Sequence, residues 1–259
     1  MIFLQNAFLK VGLSDAGALC WLENVQDGWG NVIVSPAPGL FRAVLQWQQN
    51  WEHVAFPQEQ TVCAEADTQQ AWFRMHTLHT EEHDFDVSVT LHVQLDGDQL
   101  HMDAAVENRS EAMITDVYFP CVGEIRSLGD GEPTLLWPQH AGRRITHVGR
   151  YLAQRDDFDR RHQISMTYPG GYSGGASMSW MMLEDRHNAL YFGSHDARFH
   201  ATMLRAVGDE AEEGFLTLEF DKLAMICPGK TWQGPENVLM LYTGSWQRGA
   251  SVYRKWADT

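Results

Sequence analysis

The sequence predicts an all-β protein, an antiparallel sandwich in one domain, closed by a C-terminal helix. Three observations carry that prediction. Apolar and polar residues alternate with period two along much of the chain. Proline and glycine fall between the alternating runs. Only the tail from Trp246 repeats its apolar residues at helical spacing.

The elements follow in order. Phe3–Leu13 and Ala18–Glu23 are early strands with Ser-Asp-Ala-Gly between them, and Leu40–Trp47 and Ala71–His79 come next. The clearest run places Phe85, Val87, Val89, Leu91, Val93 and Leu95 on one face, with Asp86, Ser88, Thr90, His92 and Gln94 on the other. Asp96-Gly97-Asp98 then turns the chain, because Asp-Gly readily adopts the positive φ of a tight hairpin. Leu100, Met102, Ala104 and Val106 form the return strand, and Ile114–Phe119 the third strand of a meander. Ser177–Leu183, Ala189–Ser194, Arg198–Ala206, Phe215–Phe220 and Val238–Thr243 complete about a dozen strands. No short repeat or Gly/Ser linker divides the chain, so residues 1–243 read as one sandwich.

Residues 244–259 differ. Trp246, Ala250, Tyr253, Trp256 and Ala257 recur at steps of three and four. Ser245 suits the N-cap, and Arg254 and Lys255 suit the negative end of the helix dipole. A stripe with two tryptophans and a tyrosine must be buried against the sandwich, a second subunit or another domain.

Composition excludes several classes. A net charge of −15 without a basic patch argues against nucleic acid and anionic membranes as partners. Polar residues interrupt every apolar run before the roughly 18 residues a membrane span needs. The N-terminus has no basic leader or cleavage pattern, which points to a cytoplasmic location. Cys20, Cys63, Cys121 and Cys227 form no C-x-x-C pair and sit in apolar, strand-like stretches, so buried free thiols are expected.

Several stretches could carry chemistry. His76, His79 and His83 lie among Glu81, Glu82 and Asp84, but strand flanks put His76 and His79 on opposite faces. A solvated hairpin end is expected there, with no metal and no cofactor. The glycine-rich Tyr168–Met181 stretch precedes a strand, so it lacks the helix N-terminus of a phosphate cradle and reads as a loop close to another surface. Trp137, His140, Arg143 and Arg144 share one loop region, and His195 and Asp196 end a later strand. Together with Tyr172 and Trp180, they are the candidate carbohydrate contacts. Rings stack on sugar C–H faces, arginine donates a fork, aspartate accepts, and a His–Asp pair can move protons. No carboxylate pair stands out for glycoside hydrolysis, and no G-x-S-x-G elbow occurs.

Three segments in this order, Thr115–Ile145, Tyr168–Asp196 and Cys227–Thr259, resemble the N-terminal β-supersandwich domain of large glycoside-hydrolase-like proteins of the DUF6259 type. The resemblance implies a galactose-mutarotase-like supersandwich followed by a (β/α)8 barrel. The tail with Tyr253 and Trp256 would lead into that barrel. Mutarotase-like epimerases carry a catalytic glutamate in a late Pro-Gly-Glu turn, whereas this chain has Pro228-Gly229-Lys230. A lysine ammonium cannot accept a sugar proton at neutral pH, which weighs against an epimerase. The leading expectation is a carbohydrate-associated domain of a glycoside-hydrolase-like protein, not catalytic alone, supporting a sugar site and docking a barrel or second subunit through Trp246, Tyr253 and Trp256. The alternative is a stand-alone mutarotase-like enzyme in which His195, His140 and a carboxylate move protons.

Overall fold

The computed structural model describes residues 1–34, 39–48, 51–56, 60–154, 156–157, 160–169, 175–208 and 214–259. Two antiparallel sheets form the sandwich. The larger, ten-stranded sheet begins with Arg143–Ile145, Thr134–Trp137, Trp180–Glu184, Asn188–His195 and Glu236–Thr243. It continues through Gln99–Asn108, Val87–Asp96, Gln70–Met75 and Cys63–Ala66, with Lys230–Gln233 also paired to Gln99–Asn108. The six-stranded sheet runs Gln163–Tyr168, Thr202–Gly208, Leu216–Ile226, Met113–Ile125, Arg42–Trp47, Trp51–Ala55. Ile2–Gln5, Leu9–Leu13 and Leu19–Asn24 make a separate three-stranded sheet.

Period two builds the core. Val87, Val89, Leu91, Val93 and Leu95 turn inward, as do Leu100, Met102, Ala104 and Val106 opposite them. Asp96 pairs with Gln99, so Gly97 and Asp98 make a two-residue turn, with Gly97 at φ +56°. The six-stranded sheet contributes Val117, Phe119, Leu204, Leu218 and Phe220 to the same apolar layer. Burying each such side chain stabilises the fold by about 1.5–3 kcal/mol.

Some elements depart from the sequence expectation. Phe3–Leu13 is a hairpin rather than one strand, because the Asn6 side-chain carbonyl accepts the Phe8 and Leu9 amides and turns the chain. Trp51–Ala55, Cys63–Ala66 and Gln163–Tyr168 are strands without a clean apolar alternation, and all three lie at sheet edges. Pro120 lies inside a strand, at the register shift between Tyr118 and Cys121 where the ladder is already interrupted. Cys121 is buried as expected and Cys20 partly so, but Cys63 and Cys227 are exposed.

The C-terminal helix, Trp246–Ala257, answers why the central strands of the large sheet are buried on both faces. Leu190 and Phe192 face the sandwich interior, while Ala189 and Tyr191 face the helix. Met182, Val238, Met240 and Tyr242 extend this second apolar patch, and Tyr253 closes it from the helix, with Ala250, Val252 and Trp256 packed around. Gly249 permits the close approach, since a Cβ there would lie 2.4 Å from Met182 Cε and 2.8 Å from Tyr191 Cδ2. The Ser245 hydroxyl is turned to Gln247 instead of capping the helix. Tyr242 takes over part of that role: its phenol accepts the Gly249 amide and donates to the Ser245 carbonyl. Tyr253 and Trp256 thus fold back on the sandwich, whereas Trp246 stays exposed.

Candidate functional site

The strongest concentration of buried polar chemistry lies on the outer face of the six-stranded sheet. Five adjacent strands build it. In Leu216–Ile226, Leu218 and Phe220 point inward, so Glu219 and Asp221 share the outer face. Register places Glu219 beside Cys121 and Arg205, and Asp221 beside Tyr118 and Met203. Tyr118 in turn sits opposite Arg42.

The two carboxylates are both nearly buried, at 4% and 6% exposure, yet their settings differ. Glu219 is held by two guanidinium groups. Arg42 Nη2 donates to Oε2 at 3.3 Å, and Arg205 Nε lies 2.7 Å from Oε1 in an ion pair whose angle falls outside hydrogen-bond geometry. The Cys121 thiol adds a donor at 3.5 Å. Its own pKa is raised by burial and by the adjacent Glu219 charge. Asp221 has no such clamp, and its Oδ1 has no hydrogen-bond partner among the described residues. Burial, then the nearby Asp116 charge, push its carboxyl up to about 6. The Tyr118 ring lies between the guanidinium groups, with Arg42 4.0 Å and Arg205 5.2 Å from its centroid. Burial and the Asp221 charge push its phenol up to about 12, so it remains a donor. Gln163 completes the row by accepting Arg205 Nη2 at 2.7 Å. A raised carboxyl next to an ion-paired one is the arrangement by which one site carries both an acid and a base.

A second polar group occupies the outer face of the large sheet. His101 Nδ1 lies 3.0 Å from Glu236 Oε1, and that bond lowers the Glu236 pKa. His195 stands nearby with Nε2 3.0 Å from the Tyr191 hydroxyl and its ring stacked on Trp256 at 4.9 Å. Burial lowers its pKa to about 4, so the imidazole is neutral under the helix. Further along the face, His92 pairs with Asp103 at 3.0 Å and stacks on Trp72.

The sequence candidates scatter over several places. Trp137 lies in the main core at 3% exposure, and Trp180 lies under the helix at 6%. Both still edge a cavity of about 430 Å³ shared with Arg143, Arg144, Met178 and Trp246. Arg143 reaches the Tyr151 hydroxyl, and Arg144 pairs with Glu184. His140 is exposed at φ +53°. His195 and Asp196 do not act as a pair. Asp196 accepts the Arg198 and His200 amides and the His200 ring nitrogen, stabilising a turn. Tyr172 falls outside the described residues. Lys230 is exposed at the start of a short strand, in the ladder of the large sheet, whereas Glu219 and Asp221 belong to the six-stranded sheet.

This architecture is an antiparallel β-supersandwich of the galactose-mutarotase-like fold. A galactose mutarotase-like protein from Lactobacillus casei superposes with a TM-score of 0.65 at 14% identity, over 93% of this chain and 100% of that one. A putative aldose 1-epimerase from Escherichia coli K12 gives 0.53 at 10% identity, over 93% and 98%. A GH36 alpha-galactosidase from Geobacillus stearothermophilus gives 0.53 at 11% identity, but this chain spans only 42% of it. No family model matches the chain, so the DUF6259 resemblance finds no support there, and no curated protein matches it in sequence. At these identities the similarity in structure establishes the fold alone. No helix among the described residues is long and apolar enough to cross a membrane.

Proposed function

We propose that this chain binds a reducing sugar on the outer face of its six-stranded sheet and exchanges the sugar's anomers by acid–base catalysis. The observation that supports it is the placement of Glu219 and Asp221 on one strand face with opposite electrostatic support. Protonated Asp221 donates to the ring oxygen while the Glu219 carboxylate takes the proton of the anomeric hydroxyl. The bond between the anomeric carbon and the ring oxygen breaks, giving the open aldehyde. After rotation, the ring oxygen attacks either face of the carbonyl. Glu219 then returns its proton to the new hydroxyl, and Asp221 recovers the proton it gave. Arg42 and Arg205 donate to neighbouring hydroxyls, and the Tyr118 phenol stays protonated as a fixed donor.

NMR exchange spectroscopy on free aldoses tests this reading. Wild type accelerates anomer exchange, with a rate that falls as pH rises above about 6 because the acid form of Asp221 is lost. Asp221→Asn and Glu219→Gln each reduce the acceleration by about 100-fold or more. No acceleration for any common aldose refutes the proposal.

A second reading keeps the sandwich as a non-catalytic, sugar-supporting domain of a larger glycoside hydrolase. The likeness to part of a GH36 alpha-galactosidase and the exposed Trp246 beside the 430 Å³ cavity favour it. Calorimetric binding of an oligosaccharide without anomer exchange, lost in Trp246→Ala, selects this second reading.

A further inference from the structure

The histidine-rich hairpin meets a histidine from elsewhere in the chain. Leu78–His79 pairs with Asp84–Phe85, and Thr80 to His83 form the turn. The turn is held from inside: the Thr80 amide donates to the His83 carbonyl at 2.9 Å, and the Thr80 hydroxyl accepts the His83 amide at 3.1 Å. Its base is pinned by His79 Nδ1 on Asp84 at 2.7 Å. The Gln60 side chain bonds both backbone groups of His79. His79 is therefore occupied, while Glu82 and His83 project from a fixed turn.

His53 approaches from the edge strand Trp51–Ala55 of the six-stranded sheet. Its Nδ1 lies 3.9 Å from Glu82 Oε2, and its ring centroid lies 5.1 Å from that of His83. One donor atom from each of His53, Glu82 and His83 falls within 4.8 Å of the others. Trp47 sits 4.7 Å from the His83 ring, and Phe85 5.8 Å from the His53 ring, so aromatic walls bracket both imidazoles. His53 is 9% exposed, whereas Glu82 is 72% exposed and free to swing.

From this convergence we infer that His53, Glu82 and His83 form a binding site for a borderline divalent transition metal of the zinc type. Two imidazole nitrogens and one carboxylate oxygen are the donor set such ions select over oxygen-only sites. Tetrahedral donors at about 2.0–2.1 Å from a metal stand about 3.4 Å apart, so the site closes by about 1 Å, a movement open to the exposed side chains of Glu82 and His83. The strand-context objection holds for His76, His79 and His83 taken alone. It does not apply once the third ligand comes from another strand. The bound ion ties the hairpin to the sheet edge and leaves a coordination position open to solvent.

The test uses untagged, metal-stripped full-length protein titrated with Co2+ and with Zn2+. The expected result is one saturable equivalent, with visible Co2+ absorption of tetrahedral intensity that Zn2+ displaces, and a rise in melting temperature. Glu82→Gln and His83→Gln are surface changes that leave the fold intact. Each weakens binding by more than the about 10- to 100-fold seen on losing an outer-sphere partner. His76→Gln leaves binding unchanged. Binding that survives both variants, or no saturable binding at one equivalent, overturns the assignment. Anomer exchange is unaffected by either variant, so this site and the sugar site fail independently.

Discussion

Asp221→Asn offers a sharp test of the electrostatics. Burial holds the Asp221 carboxyl at about 6 in the folded chain against an ordinary value of 3.8, so the two states differ by about 2 in pKa. At about 1.36 kcal/mol per unit, that is about 3 kcal/mol. The sign follows from proton counting. Between pH about 4 and 6 the folded state binds more protons than the unfolded one, so stability falls as pH rises through that window. Above it, the ionised buried carboxylate costs the full amount. Asparagine is uncharged throughout and keeps an acceptor for Tyr118. Urea denaturation of both proteins from pH 3.5 to 8 therefore shows coincident stabilities at the acid end. At pH 8 the variant is more stable by about 3 kcal/mol, equivalent to about 6–12 °C in melting temperature for a chain of this size. A variant less stable than wild type at pH 8, or a difference that does not change with pH, refutes the reasoning. Loss of anomer exchange together with a gain in stability is the signature of a group held for chemistry at the expense of the fold.

Two further predictions concern the interior and the tail. Lys222 is buried between the sheets, where its Nζ donates to Ser194 and Thr202 at 2.6 and 2.8 Å, and burial lowers its pKa to about 7. The folded state then binds fewer protons above pH 7, so wild-type stability relative to Lys222→Met rises by about 2 kcal/mol between pH 7 and 9 in parallel urea titrations. A flat difference excludes that account. Gly249→Ala gains about 1 kcal/mol of helix propensity but forces a methyl against Met182 and the fixed Tyr191 Cβ at 3.0 Å. Overpacking of about 1–3 kcal/mol wins, and the variant melts lower by calorimetry, whereas a higher melting point removes the role given to this glycine.

Local pattern made the frame of the protein legible. The Phe85–Val106 hairpin and the tail helix were readable because their signals, period two with an Asp-Gly turn and an aromatic stripe, lie within a few residues of one another. The face proposed for the sugar was not readable for the same reason. Glu219 and Asp221 alternate with Leu218 and Phe220, which is the ordinary pattern of a wet strand face. What buries them arrives from far away: Arg42 from 177 residues upstream, and Tyr118, Gln163 and Arg205 from three other strands. His195 and Asp196 fail as a pair because His195 ends its strand under the helix, while Asp196 opens the next turn and is taken up by the Arg198 and His200 amides. His53 shows the converse, a ligand that no spacing within the hairpin could reveal.

The outer faces of the two sheets separate structural from chemical burial. On the large sheet, the outer residues that the C-terminal helix covers are mainly apolar, with His195 the polar exception, so most of their burial is accounted for by packing alone. On the six-stranded sheet, the outer residues buried beside the core include Glu219, Asp221 and Cys121, bordered by half-buried Arg42, Tyr118 and Arg205. Replacing such a network with apolar side chains is often neutral or stabilising by about 1–4 kcal/mol. Stability therefore gives no reason to place these groups there. The Arg42 and Arg205 clamp on Glu219, next to an Asp221 left without one, is accounted for when a ligand with several hydroxyls supplies the remaining hydrogen bonds.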